Sequence, residues 1–170
     1  MTTLQAYKKQ LQGRISPRTL VLPRTAQGDY VLGKKKRGFG AGRVNGFGGK
    51  LDTGESYYTC AVRELQEESG LIAQELCWVG EVCAYFPLTY PTDKIAQQIY
   101  IFTCDNWSGE LQETEEMIPV ILKPEEIDYA DMWPDNALFL PLILSSQEGW
   151  KVEVLYSEQD LIIDSLITKS

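Results

Sequence analysis

The feature that most limits what this chain can become is the stretch from Gly48 to Leu71, GGKLDTGESYYTCAVRELQEESGL. Counted from Gly49 it runs glycine, five residues, Glu55, seven residues, Arg63-Glu64-Leu65, one residue, Glu67-Glu68, one residue, Gly70-Leu71. Ser56 can cap a helix start by accepting from an orphan N–H, and Gly70 suits a left-handed cap at the end. The spacing therefore predicts a loop followed by one helix. At about 100° per residue, Glu64, Glu67 and Glu68 stand at i, i+3 and i+4 and crowd three carboxylates onto one face. Tyr58, Val62 and Leu65 fall on another face and are expected to pack inward.

Close carboxylates repel one another and raise each other's pKa unless a cation joins them. Hard oxygen ligands suit Mg2+, with Mn2+ as the alternative, and Mg2+ normally shares its shell with substrate phosphates. An acidic helix face is more often simply solvated. Here the spacing decides otherwise: seven fixed identities at fixed offsets should arise by chance less than roughly once in a million starts. The pattern resembles the Nudix box with no position missing.

A length of 170 residues favours one domain, and a net charge of −8 argues against a nucleic-acid polymer as partner. It does not argue against a single nucleotide, whose charge a metal ion and a few cations can meet. The chain has no histidine, which excludes Ser-His-Asp and Cys-His nucleophiles and any His-bound zinc. Cys60, Cys77, Cys83 and Cys104 lack CxxC spacing and read as buried thiols of a reducing compartment. No apolar run is long enough for a membrane span. A cytoplasmic monomer is the expectation, with nucleus or mitochondrion as alternatives.

Residues 1–17 contain no acid and only weak apolar spacing, at Leu4, Tyr7, Leu11 and Ile15. They read as a frayed or loosely docked extension, with a targeting helix as the sharper alternative. The domain proper is expected over 18–170. Arg18–Leu22 and Tyr30–Gly33 read as a strand pair around a turn at Gln27-Gly28-Asp29. Lys34-Lys35-Lys36-Arg37 then supplies four cations that could counter a triphosphate. Trp78–Phe86 and Gln97–Cys104 read as strands joined by a Pro87–Ala96 loop, and Asn106–Glu116 as polar chain with a turn at Ser108-Gly109. Ile118–Leu122 is a short strand. Pro134–Leu144 reads as a helix with Pro134 at N1, distorted or ended by Pro141. Trp150–Tyr156 and Leu161–Ile167 close the chain as a strand pair. Strands on both sides of a central helix predict an α+β sandwich.

A glutamate and Mg2+ cluster beside a basic segment implies hydrolysis of a phosphoanhydride. Glu64 and Glu68, one turn apart, form the best ligand pair, followed by Glu67, with the Gly48 carbonyl as a backbone ligand. Glu113-Thr114-Glu115-Glu116 can deliver a further carboxylate, and Glu55 with Arg63 is expected to form an ion pair that ties the loop to the helix. In Asp131-Met132-Trp133-Pro134-Asp135-Asn136, a flat ring stands beside groups able to read a purine edge.

KKRGFGAGRVNGFGGK before the box, RELQEESGL within it and DMWPD after it closely resemble the animal MutT homologues, over roughly residues 18–168. That resemblance implies a Nudix α/β/α sandwich with a mixed central sheet. It implies hydrolysis of 8-oxo-dGTP, 2-hydroxy-dATP and related nucleotides to the monophosphate and pyrophosphate. It assigns Gly48, Glu64, Glu67, Glu68 and Glu116 to the metal, and the four glutamates are expected to carry catalysis. It assigns Thr19, Lys35, Asn45, Phe47, Trp133 and Asp135 to the nucleotide site, and Gly48, Gly49, Lys50 and Asn136 are expected to join them against the substrate. Three positions depart from the family in the base pocket: Asn136 replaces a second Asp, Ala84 a Phe, and Phe139 a Trp. Asn136 cannot ionise, and the pocket should be wider at Ala84 unless Tyr85, Phe86 or the Pro87–Ala96 loop fills it. The expected outcome is a strong preference for 8-oxo-dGTP or 2-hydroxy-dATP, without requiring both. The alternatives are a Nudix pyrophosphatase for another nucleoside-diphosphate-linked compound, or a binding protein without turnover.

Overall fold

The structure is a computed structural model that describes residues 2–169. Among these residues eight strands and three α-helices follow one another as α1 (Leu4–Gln10), β1 (Ser16–Pro23), β2 (Tyr30–Lys35), β3 (Val44–Asn45), α2 (Tyr57–Ser69), β4 (Leu71–Tyr85), β5 (Ala96–Gly109), β6 (Met117–Leu122), α3 (Asn136–Leu144), β7 (Trp150–Tyr156) and β8 (Ile162–Lys169). Five strands form one mixed sheet in the order β1-β5-β4-β7-β8, and β3-β2-β6 form a small antiparallel sheet. In the large sheet β1 runs parallel to β5 and β4 parallel to β7, while the β4/β5 and β7/β8 pairs are antiparallel. The expected α+β sandwich with a mixed sheet is the observed fold.

Alternation along the strands sends side chains to two cores. Leu20, Leu22, Val82, Ile101, Val152 and Val154 meet Phe139, Leu140 and Ile143 of α3 on one face, together with Tyr30 and Leu32 of β2. Val21, Phe102 and Cys104 meet Ala61 and Leu65 of α2 on the other, with Val31 of β2 and Met117 of β6. β2 thus contributes to both cores and locks the small sheet against the large one.

Several local expectations give way. β1 and β2 are not a hairpin: they belong to different sheets, pack through side chains in both cores, and among the described residues their backbones pair just at a bridge between Tyr30 and Arg24, the residue after β1. A turn between two apolar runs does not specify which partner each run finds, and β1 gains more by pairing along β5. Residues 106–109 are strand, paired with residues 71–75. A cross-strand partner satisfies polar backbone as well as apolar, so side-chain polarity there reports exposure and not loop. Pro134 lies ahead of α3, whose cap is Asp135, and Pro141 stands inside the helix. Tyr58 is exposed, and α2 buries Cys60, Ala61, Leu65 and Ser69 instead. Cys77 is exposed, whereas Cys60, Cys83 and Cys104 are buried.

The N-terminal segment is not frayed. Thr3 caps α1 by accepting from Ala6 N–H, and Leu4, Tyr7 and Leu11 bury themselves against Cys83, Tyr85, Ala96 and Leu155 of the large sheet. The Tyr7 hydroxyl donates to the Phe86 carbonyl and Lys8 pairs with Glu153. These contacts come from positions far along the chain, so the weak periodicity of the segment could not announce them.

Candidate active site

The loop before α2 is pressed onto β1. Phe47 and Val21 exchange backbone hydrogen bonds of 2.6 and 3.0 Å, and Thr19 N donates to Gly49 O at 3.0 Å. A Cβ on Gly48 would lie 1.8 Å from the Thr19 carbonyl oxygen, and one on Gly49 would lie 2.5 Å from Glu64 Oε1. Only glycines let backbone approach a strand on one side and a carboxylate on the other. α2 is capped as its sequence predicts: Ser56 accepts from Thr59 N, and Gly70 adopts φ 79°.

Arg63 organises the acids. Its guanidinium reaches Glu55 at 2.7 and 2.9 Å, Glu64 at 2.9 Å, Glu67 at 3.2 Å and the Lys50 carbonyl at 3.3 Å. The expected Glu55–Arg63 pair is present, and Arg63 holds the Glu55 carboxyl down to about 2. Glu68 behaves oppositely. Burial pushes its carboxyl up to about 8, and the charges of Glu64 and Glu116 add to that while Lys35 and the Gly48 N–H oppose it. Burial also raises Glu64, against the pull of Arg63. Glu68 is therefore close enough to Glu64 and Glu116 to feel their charge. Glu67 is 59% exposed, on the outer edge of the group. Glu116 is held by Arg37 at 2.8 Å, and no three acids among the described residues converge on one point. A crowded carboxylate that resists ionisation, fed by hard oxygen donors, is a donor set that a divalent cation fits.

The four-cation run divides. Lys36 pairs with Glu113 and Arg37 with Glu115 and Glu116, Lys34 is exposed, and Lys35 alone faces the cavity beside Glu68. That cavity, of about 120 Å³, runs from Gly48, Gly49 and Glu68 to Trp133, Asp135 and Asn136. Thr19, Lys35 and Asn45 lie along it. Two of the residues assigned to the substrate do not. Phe47 is fully buried in the core beneath α2, and the Lys50 side chain lies outside the cavity, beside a second concavity with Arg14 and Asp93. Asn45 pairs with Gly33 of β2 and Phe47 with Val21 of β1, and the Phe47 side chain goes into the core, so its contribution here is limited to its backbone.

Residues that motif reading passed over complete the far end. Phe39 stacks on Trp133, and the Arg43 guanidinium carbon stands 4.1 Å from the Trp133 ring centre. Arg43 also donates to the Met132 carbonyl at 3.2 Å and to Asp160 at 3.0 Å, while Tyr90 holds the other oxygen of Asp160 at 2.5 Å. The space left by Ala84 is bordered by Phe86, just past the end of β4, whose ring stacks on Tyr156 at 4.6 Å and meets Trp133 edge-on at 5.5 Å. An aromatic among the glycines at 38–42 was a readable signal for Phe39. The Arg43–Asp160 contact, 117 residues apart in sequence, had none.

The NUDIX domain profile matches residues 15–143, most of the chain. The chain belongs to the Nudix family. This Nudix chain is 43% identical over 129 residues to the oxidized purine nucleoside triphosphate hydrolase of Danio rerio, covering 76% of this chain and 80% of that protein. It is 41% identical over 145 residues to the protein of that name from Mus musculus, covering 85% and 89%. Among solved structures, a MutT protein from Bacillus halodurans superposes with a TM-score of 0.77 at 18% identity, covering 90% of this chain and 97% of that one. The structural likeness is one of fold. α1 lies outside the matched Nudix region, and no helix among the described residues is long and apolar enough to cross a membrane.

Proposed function

We propose that this Nudix hydrolase cleaves oxidised purine nucleoside triphosphates, 8-oxo-dGTP and 2-hydroxy-dATP among them, to the monophosphate and pyrophosphate. The observation that carries this reading is a single cavity with Glu68, Gly48 and Lys35 at one end and Trp133, Asp135 and Asn136 at the other. Its first end suits a phosphate chain and its second a purine. The names and extents of the two animal relatives support the same substrate class.

Nudix hydrolases generally need a divalent metal, and we infer Mg2+, with Mn2+ as substitute, held by Glu64, Glu67, Glu68, Glu116 and the Gly48 carbonyl. Bound there, the ion would offset phosphate charge and make water a better nucleophile. Lys35 meets the remaining phosphate charge, and Gly48 and Gly49 bring backbone close to it. A glutamate of this set accepts the proton of the attacking water, and Trp133 offers a ring on which the base stacks. Arg63 keeps Glu55, Glu64 and Glu67 in register. The setting implied is a cytoplasmic monomer that uses neither a nucleic-acid polymer nor a membrane, with nucleus and mitochondrion as alternative compartments.

The test is a competition assay with 8-oxo-dGTP, 2-hydroxy-dATP, dGTP and dATP at limiting concentration, with nucleotide sugars and dinucleotides as controls. Faster release of monophosphate from the oxidised forms supports the proposal. Equal kcat/KM on oxidised and intact nucleotides, or preference for a nucleotide sugar, overturns it.

A further inference from the structure

Asn136 carries the observation that goes furthest. Its side chain is only 2% exposed, and it lines the cavity. Both amide hydrogens are engaged: Nδ2 donates to the Trp133 carbonyl at 3.1 Å and to Asp135 Oδ1 at 3.1 Å. Its Oδ1 is buried and has no hydrogen-bond partner among the described residues. Turning the amide over would bring oxygen against a carbonyl and a carboxylate, so the two partners hold the orientation. Asn136 thus has both donors taken and only an acceptor left for a ligand.

Asp135 lies beside it, 6% exposed, its N–H bonded to the Tyr156 hydroxyl at 3.1 Å. A carboxylate, like the amide oxygen, can only accept. The base end of the cavity therefore offers two neighbouring acceptors, one of them buried and unpaired. A buried polar group left without a partner penalises any ligand that fails to supply one.

We propose that Asp135 and Asn136 act as an acceptor-only reader, which admits purines carrying two neighbouring N–H donors on one edge. The inference rests on the purine-triphosphate reading above and deepens it. Guanine has such a pair at N1 and the 2-amino group, and 8-oxoguanine keeps it. Intact adenine has none, because its 6-amino donor is flanked by the acceptors N1 and N7. Oxidation changes that. The keto form of 2-hydroxyadenine carries N1–H beside the 6-amino group, and 8-oxoadenine carries N7–H beside it. The pair thereby separates intact from oxidised adenine by donor count alone. It does not separate dGTP from 8-oxo-dGTP, a distinction left to other parts of the cavity.

The test measures binding as well as turnover. Calorimetry at neutral pH compares dAMP, 2-hydroxy-dAMP, 8-oxo-dAMP and dGMP, the products, so that no catalysis is needed. The expected result is that dAMP binds at least about tenfold more weakly than each of the other three. Asn136→Asp places two acids side by side, which must share a proton and so regain one O–H donor. In that variant dAMP should gain affinity and the gap should narrow to about threefold or less. Equal binding of dAMP and 2-hydroxy-dAMP by the wild-type protein overturns the inference, whether or not the variant folds, and an unchanged gap in a folded variant does the same. Selective product binding without hydrolysis of any purine triphosphate would instead defeat the functional reading and leave the reader intact.

Discussion

The ring of Phe39 lies 5.0 Å from that of Trp133, 21° from parallel, so the broadest aromatic surface in the cavity already has a stacking partner from the glycine-rich segment before β3. Phe39 also meets Phe86 and Tyr90 edge-on, at 5.3 and 6.0 Å. The base end is an aromatic box built from three separated stretches of chain, and Arg43 and Asp160 hold its Trp133 wall.

Trp133→Leu removes that wall while preserving an apolar side chain. Stacking of a base on an aromatic ring is worth about 1–3 kcal/mol. KM for 8-oxo-dGTP should rise about tenfold or more, with kcat changing less, in steady-state kinetics. An unchanged KM would place the base elsewhere.

Glu68 should tie metal affinity to pH. Its carboxyl is pushed up from 4.5 to about 8 in the folded chain, chiefly by burial. A raised folded pKa stabilises the protonated form, so this contribution is complete below the unfolded value and is lost as pH rises through the folded one. Without a divalent ion, Tm should fall as pH increases from about 5 to 8, and Mg2+, which needs the ionised form, should reverse the trend. Glu68→Gln should abolish that slope, leave the metal-free protein at least as stable near pH 8, and lower kcat by about a thousandfold or more. Differential scanning fluorimetry with and without Mg2+ reads the first two effects.

Arg63→Lys keeps a charge but loses the planar fork that holds Glu55, Glu64, Glu67 and the Lys50 carbonyl together. The loop should loosen from the helix. A Mg2+ titration of activity should show half-saturation shifted to higher concentration, by about threefold to tenfold, with a lower plateau.

Helix α1 should be part of the stable core. Leu4→Ala, at a side chain 3% exposed, should cost about 2–4 kcal/mol in denaturant unfolding. Tyr7→Phe, which leaves the Phe86 carbonyl without its donor, should cost about 1–3 kcal/mol. Neutral outcomes for both would mean that α1 undocks in solution.

The box around Glu64 was legible because a capped helix presents residues three and four apart on one face in any fold. The Glu55–Arg63 pair was legible for a related reason: both belong to one loop-helix unit whose geometry is local. The Trp133-Pro134-Asp135 element could be identified as a cavity wall, but not its partners. Phe47 was misplaced because a glycine-rich loop has no fixed period from which to read its inner and outer sides. Lys36 and Arg37 were overrated as phosphate ligands because their acidic partners, at 113–116, arrive through β6.

The amino-acid order alone determined the acidic helix and its caps, since each depends on contacts within a few residues, and the succession of strands and helices gave the α+β class. Only tertiary packing decided that β1 joins β5 and not β2, that α1 docks, and that Phe39, Phe86 and Tyr156 gather around Trp133. Those arrangements depend on burial shared between distant segments, and an apolar residue does not encode which of many apolar partners will cover it. The orientation of the Asn136 amide belongs to the same class: its chemistry is written in the sequence, but a carbonyl and a carboxylate placed by the fold take up its N–H groups and leave its oxygen unpaired.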